Sequence, residues 1–77
     1  MLSIVLTSDA LIQGYWFATP EYCKEWEKYC VVEHKSKNIL LTSQTKYNAE
    51  KFVNYYAGKE PAPKFYSNKV VNYWRKK

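Results

Sequence analysis

The sequence predicts a single small α+β domain with the element order β-β-α-β-α-α. A short antiparallel or mixed sheet is expected to be packed by two amphipathic helices and a short C-terminal helix. The chain has 77 residues, which is room for one domain that buries only about 60% of its unfolded surface. Apolar residues make up 47% and aromatic residues 18%, which is enough to form a core. No internal repeat or low-complexity tract interrupts the chain.

The first predicted element is a strand over residues 2–7, where buried apolar positions alternate with mixed ones. Residues 8–14 admit two interpretations. They form either one capped helical turn ended by Gly14, or a hairpin turn at 8–10 that leads into a second strand. The strand-forming aromatic residues that follow favour a second strand over about residues 12–18.

A helix is predicted over residues 20–34. Thr19-Pro20-Glu21 is a typical helix start, because threonine caps, proline fits the first turn and a carboxylate suits the positive end of the helix dipole. The residues after it show helical spacing of apolar side chains. This predicted stripe consists of Tyr22, Cys23, Trp26, Tyr29 and Cys30.

The second half of the chain begins with a short buried strand predicted over residues 39–42. A helix follows over about residues 44–57, with Ser43 or Thr45 as its cap and Gly58 as its left-handed stop. Residues 59–64 contain two prolines and are predicted to form an extended connector. A short terminal helix is expected after Ser67 or Asn68, and residues 1–77 are treated as one domain.

Charge is distributed unevenly along the chain, whose net charge is +5. Residues 1–34 hold five acidic and two basic side chains, whereas residues 35–77 hold ten basic and two acidic ones. Such asymmetry favours a negatively charged partner, although basic surface also promotes solubility.

The two cysteines indicate a reducing compartment. Cys23 and Cys30 would lie roughly 10 Å apart along the predicted helix, which is too far for a disulfide. Two buried thiols are typical of a cytoplasmic protein. Neither a signal peptide nor a membrane-spanning segment is predicted, because Asp9 soon interrupts the first apolar stretch.

Catalysis is not predicted. His34 is the only histidine, and no serine or cysteine lies in a known nucleophile motif. Cys30 and His34 are spaced as i and i+4, but two ligands without a CxxC partner make a weak zinc signal. The chain has two glycines and therefore no glycine-rich phosphate loop. The sequence accordingly predicts a non-enzymatic protein without cofactor or metal.

Basic and aromatic residues interleave in the second half, which favours nucleic-acid binding. Lysine and arginine neutralise phosphates, and exposed tyrosine rings stack on bases. Phe52, Tyr56, Val70 and Trp74 lie on predicted core stripes and are assigned to the core. The candidate binding residues are Lys46, Tyr47, Lys51, Tyr55, Lys64, Tyr66, Lys69, Arg75, Lys76 and Lys77.

The alternative prediction is a protein-binding inhibitor or adaptor that docks on an acidic surface of a larger complex. Lys, Asn and Tyr together supply 24 of the 77 residues, a bias that AT-rich coding produces and that phages and mobile elements often show. A viral host-takeover or anti-defence protein fits this alternative. A homodimer that pairs through the N-terminal strand is compatible with either function.

Overall fold

The structure, a computed structural model, describes residues 1–18 and 23–64. These residues form a four-stranded mixed sheet and two helices, so the α+β prediction is confirmed. The predicted terminal helix and the predicted helix start at residues 19–21 lie outside the described residues. The elements are β1 (Leu2–Leu6), α1 (Thr7–Ile12), β2 (Trp16–Phe17), β3 (Tyr29–Glu33), β4 (Asn38–Ser43) and α2 (Lys46–Tyr56).

The sheet has the strand order β1-β3-β4-β2. β3 pairs antiparallel with both β1 and β4, and the two-residue β2 pairs parallel with β4. The strands predicted over residues 2–7 and 39–42 are confirmed as β1 and β4. β1 therefore lies at one edge of the sheet formed by the described residues.

Both faces of the sheet are covered. Val31 and Val32 are adjacent on β3, point to opposite faces and belong to two different buried clusters. The cluster on the α2 side contains Val31, Leu40, Leu41, Ala49 and Phe52. The cluster on the α1 side contains Ala10, Tyr15, Cys23, Cys30, Val32 and Ile39. Two-sided burial explains why β3 and β4 read as nearly continuous apolar runs.

A bulge interrupts the β3–β4 ladder. Val31 pairs with Leu41 while Val32 pairs with Ile39, so Leu40 has no opposite residue on β3. An extra residue of this kind bends the strand and redirects side chains. As a result, Leu40 and Leu41 both contribute to the cluster on the α2 side.

The helix predicted over residues 44–57 is confirmed as α2, and Thr45 is its N-cap. The Thr45 side-chain oxygen accepts a hydrogen bond from the Asn48 backbone N–H at 3.2 Å. Ser43, the other predicted cap, instead donates its hydroxyl to the Thr45 carbonyl oxygen at 2.9 Å. Gly58 follows the helix with φ at +78°, a left-handed conformation that glycine adopts without strain.

The helix predicted over residues 20–34 is wrong wherever the structure describes that segment. Tyr29–Glu33 form β3, which lies between β1 and β4. The helical spacing of apolar residues was outweighed by two β-branched valines in this segment and by partner strands on both sides. Trp26, expected on a buried stripe, is instead 73% exposed in the turn before β3.

The strand predicted over residues 12–18 is largely wrong. Residues 7–12 form α1, Gly14 follows with φ at +91°, and only Trp16–Phe17 form a strand. Of the two interpretations of residues 8–14, the helical turn ended by Gly14 is therefore correct. The observed order of the described elements is β-α-β-β-β-α, so the predicted order is wrong in its first half.

Candidate binding surface

The structure describes five of the ten predicted binding residues, all of them on α2 or in the segment that follows it. They are Lys46, Tyr47, Lys51, Tyr55 and Lys64. The other five, Tyr66, Lys69, Arg75, Lys76 and Lys77, lie outside the described residues.

Residues 60–64 run beside α2 and form with it a groove of about 320 Å³. We call it the α2–connector groove. Its lining consists of Tyr47, Lys51, Glu60, Pro61, Ala62, Pro63 and Lys64. Three of the predicted binding residues, Tyr47, Lys51 and Lys64, therefore meet at one site.

Tyr47 presents the most accessible ring of this groove. Its side chain is 62% exposed, and the Lys51 ammonium lies 5.4 Å from the ring centroid. The two residues are i and i+4 neighbours on α2, a spacing that places them on one helix face. The free face of such a ring can stack on a base or pack against a partner side chain.

Lys51 is engaged by an acidic residue that the sequence analysis did not assign to the site. Its ammonium donates to a Glu60 carboxylate oxygen at 3.0 Å, and the other oxygen accepts from the Asn54 side-chain amide at 2.9 Å. These contacts raise the pKa of Lys51 and lower that of Glu60, chiefly through their mutual hydrogen bond. Glu60 thus braces the connector against α2 and balances the charge of Lys51.

The other two described candidates differ in accessibility. Lys46 is exposed at the first position of α2, whereas Tyr55 is half-buried. Tyr56 packs against the cluster on the α2 side, with its ring centroid 6.0 Å from that of Phe52. The core assignment is therefore confirmed for Phe52, whereas Tyr56 is half-buried at the border of the cluster. Val70 and Trp74, also assigned to the core, lie outside the described residues.

Exposed aromatic side chains also occur in the acidic half of the chain, where none was expected. Trp16 is 63% exposed, and the ammonium of Lys24 lies 5.5 Å from the Trp26 ring centroid. Trp26 and Leu6 border a second groove of about 340 Å³. The charged residues on either side of Trp26 were the sequence signal for its exposure.

His34 is held by two hydroxyl groups. Its Nε2 lies 2.6 Å from the Ser3 hydroxyl oxygen, and its Nδ1 lies 3.1 Å from the Tyr15 hydroxyl oxygen. A neutral imidazole has one donor and one acceptor nitrogen, and hydroxyls can match either. The contacts link β1, the end of β3 and the segment before β2.

The cysteines lie in the core. Cys23 and Cys30 are buried thiols in one cluster, and the Cys23 thiol donates to the Ile39 carbonyl oxygen at 3.2 Å. Burial raises the pKa of Cys30 to about 11, although the Thr7 hydroxyl acts in the opposite direction. Cys30 and His34 do not share a helix face, because this segment is β3 and the turn after it. Within residues 1–18 and 23–64, no three His, Cys, Asp or Glu side chains are grouped to hold a metal ion.

Comparison with known protein families, curated proteins and solved structures finds no match. Among the described residues, no helix has the length and apolar character needed to span a membrane. Function is therefore inferred from the surface of the chain itself.

Proposed function

We propose that the protein is a small, basic, non-enzymatic binding protein that associates with nucleic acid through its C-terminal half. The observation that carries this proposal is the α2–connector groove, in which the exposed Tyr47 ring meets the cationic Lys64. Lys46 precedes Tyr47 and is exposed as well. Phosphates and bases require these two types of side chain close together.

The charge of the following segment supports the same proposal. Residues 65–77 continue from Lys64 and contain four basic and no acidic side chains. Together with Lys46 and Lys64 they supply six cations for phosphates. Lys51 is left out of this set because Glu60 balances its charge. A single strand that neutralises six charges gives a salt slope of about −4, hence roughly a 300-fold loss of affinity between 50 and 200 mM salt.

Fluorescence polarisation with a labelled single-stranded oligonucleotide, titrated at several salt concentrations, tests the proposal. We expect Tyr47→Ala and Lys46→Gln each to weaken binding severalfold. Trp16→Ala and Lys28→Gln are matched controls, because Trp16 is 63% exposed and Lys28 is exposed, yet both lie outside the groove. No binding at tens of micromolar protein in low salt, or equal losses in the controls, refutes the proposal.

A protein-binding inhibitor or adaptor that docks on an acidic surface is the second candidate. The exposure of Trp16 and Trp26 favours a protein partner, because tryptophan is a frequent anchor of protein interfaces. An acidic surface would face the basic half of the chain instead, since Glu25 and Glu27 flank Trp26. A viral or mobile-element protein directed against a host complex belongs to this class. Affinity capture after nuclease treatment tests it. A host protein retained by the wild type and by Lys46→Gln, but lost with Trp26→Ala, favours this second function.

A further inference from the structure

We propose that two copies of the chain associate edge to edge through β1, in an antiparallel pair centred on Ile4. The inference concerns assembly and is independent of what the α2–connector groove binds. It follows from the direction of the backbone groups of β1, from the sequence of the strand and from its place in the sheet.

The hydrogen bonds at both ends of β1 establish which backbone groups face outward. The His34 N–H donates to the Met1 carbonyl oxygen at 3.1 Å, and the Thr7 N–H donates to the Lys28 carbonyl oxygen at 2.9 Å. In an antiparallel ladder, hydrogen-bonded pairs alternate with pairs that are not hydrogen-bonded. Odd-numbered residues of β1 therefore bond to β3, and Leu2, Ile4 and Leu6 direct their N–H and C=O groups away from it.

These outward groups match a second copy of the same strand. When Ile4 lies opposite Ile4 of the other copy, Leu2 of each copy lies opposite Leu6 of the other. Leu6 is the N-cap of α1, so its carbonyl oxygen is used by the first helical bond. The N–H groups of Ile4 and Leu6 remain as donors, to the carbonyl oxygens of Ile4 and Leu2. The symmetric pair therefore has four backbone hydrogen bonds.

The sequence of β1 also suits self-pairing. Charged side chains and prolines protect exposed sheet edges from pairing. Residues 2–6 contain neither. A twofold pair places Ser3 opposite Val5, so no like charges oppose each other. β2, at the other edge of the described sheet, has only two residues and offers little for pairing.

The side chains gain burial in this arrangement. Leu2 and Ile4 pack against the cluster on the α2 side but remain half-buried, and Leu6 is 38% exposed. Pairing places Leu6 of one copy beside Leu2 of the other on the same sheet face. The two sheets become one, and both α2 helices lie on the same side of it.

Sedimentation velocity of the full chain at increasing concentration tests the proposal, with the mass expected to rise from 9.2 kDa to twice that value. Leu6→Pro is the decisive variant. The φ of Leu6 is −67°, which proline adopts without strain, and the N–H that proline lacks faces away from β3. The variant removes two of the four intermolecular hydrogen bonds, so we expect dimerisation to weaken at least tenfold.

Leu6→Ala is the matched control, because it shortens the side chain but keeps the N–H. It should dimerise more tightly than Leu6→Pro, and circular dichroism should show both variants folded. A wild type that stays monomeric up to several hundred micromolar overturns the proposal. A Leu6→Pro variant that dimerises as tightly as the wild type, or no more weakly than Leu6→Ala, overturns it as well.

Cross-linking provides a second measurement that does not depend on the folding of the proline variant. Facing residues in a hydrogen-bonded antiparallel pair have Cα atoms about 5.5 Å apart, which permits a disulfide. Ile4→Cys should therefore oxidise to a covalent dimer faster than Ile12→Cys, although Ile12 is 83% exposed. Equal or slower cross-linking of Ile4→Cys contradicts the pairing.

Discussion

Glu60→Gln is expected to strengthen nucleic-acid binding, although it changes a residue that touches no phosphate. In the wild type, a Glu60 carboxylate oxygen lies 3.0 Å from the Lys51 ammonium and balances its charge. Glutamine lacks the negative charge but keeps one oxygen that can accept from Lys51, and its amide N–H can donate to the Asn54 side-chain oxygen once the Asn54 amide turns over. The connector therefore stays in place, while Lys51 becomes available to a phosphate.

The magnitude follows from the electrostatics of a single strand. Each neutralised phosphate contributes about −0.7 to the salt slope, so the slope should steepen from about −4 to about −5. The added contact contributes no electrostatic gain at 1 M salt, the reference concentration. At 0.1 M salt, Glu60→Gln should therefore bind the oligonucleotide about fivefold more tightly than the wild type. Lys51→Gln in the wild-type background should change affinity little, because the charge that it removes is already balanced.

A double-mutant cycle tests this prediction. It compares polarisation titrations between 50 and 200 mM salt for the wild type, Glu60→Gln, Lys51→Gln and the double variant. The gain from Glu60→Gln should vanish in the double variant, since Lys51 is the group that it releases. A Glu60→Gln variant with unchanged affinity and slope, or a gain that survives loss of Lys51, refutes this account of the groove.

The remaining predictions concern the core and its surroundings. Phe52→Ala should lower the free energy of unfolding by about 3–5 kcal/mol in urea denaturation, because its ring is fully buried between α2 and the sheet. Tyr47→Ala, on the exposed face of α2, should change the free energy of unfolding by less than about 0.5 kcal/mol. Cys30 should resist iodoacetamide in the native protein and react after unfolding, because it is buried and its pKa is about 11; rapid native labelling contradicts this. The pKa of Glu33 is lowered to about 2, chiefly by its hydrogen bond to the terminal ammonium. Ionised Glu33 should therefore stabilise the folded state above its ordinary pKa of 4.5, and this stabilisation should be lost as pH falls towards 2. Glu33→Gln should make the melting temperature less dependent on pH over that interval.

The sequence predicted correctly those strands and helices whose local pattern of residues matches the packing around them. The alternating residues of β1, the short apolar run of β4 and the capped helix α2 all occur close to where they were predicted. β3 was missed because its apolar residues also fit a helical stripe. Only pairing with β1 and β4 decides between the two. The pairing with β1 joins distant parts of the chain, from Leu6 with Tyr29 to Leu2 with Glu33.

The candidate site was predictable in composition but not in geometry. Interleaved basic and aromatic residues indicated α2 and the connector, and Tyr47, Lys51 and Lys64 do lie at one groove. The bracing role of Glu60 was not visible, because its contact with Lys51 spans nine residues and depends on how the chain turns after Gly58. The exposure of Trp16 could not be predicted either. Trp16 lies on β2, at an edge of the described sheet, and local periodicity does not reveal which strand lies at an edge.

The extra residue in the β3–β4 ladder determines where the chain can be shortened. Deleting a residue within a two-faced strand normally reverses the direction of every side chain after it. Deleting Leu40 would instead leave Ile39 opposite Val32 and Leu41 opposite Val31, as both are now. Each remaining side chain would keep its own face of the sheet. A one-residue gap in related sequences should therefore be tolerated at this position sooner than anywhere else in β4.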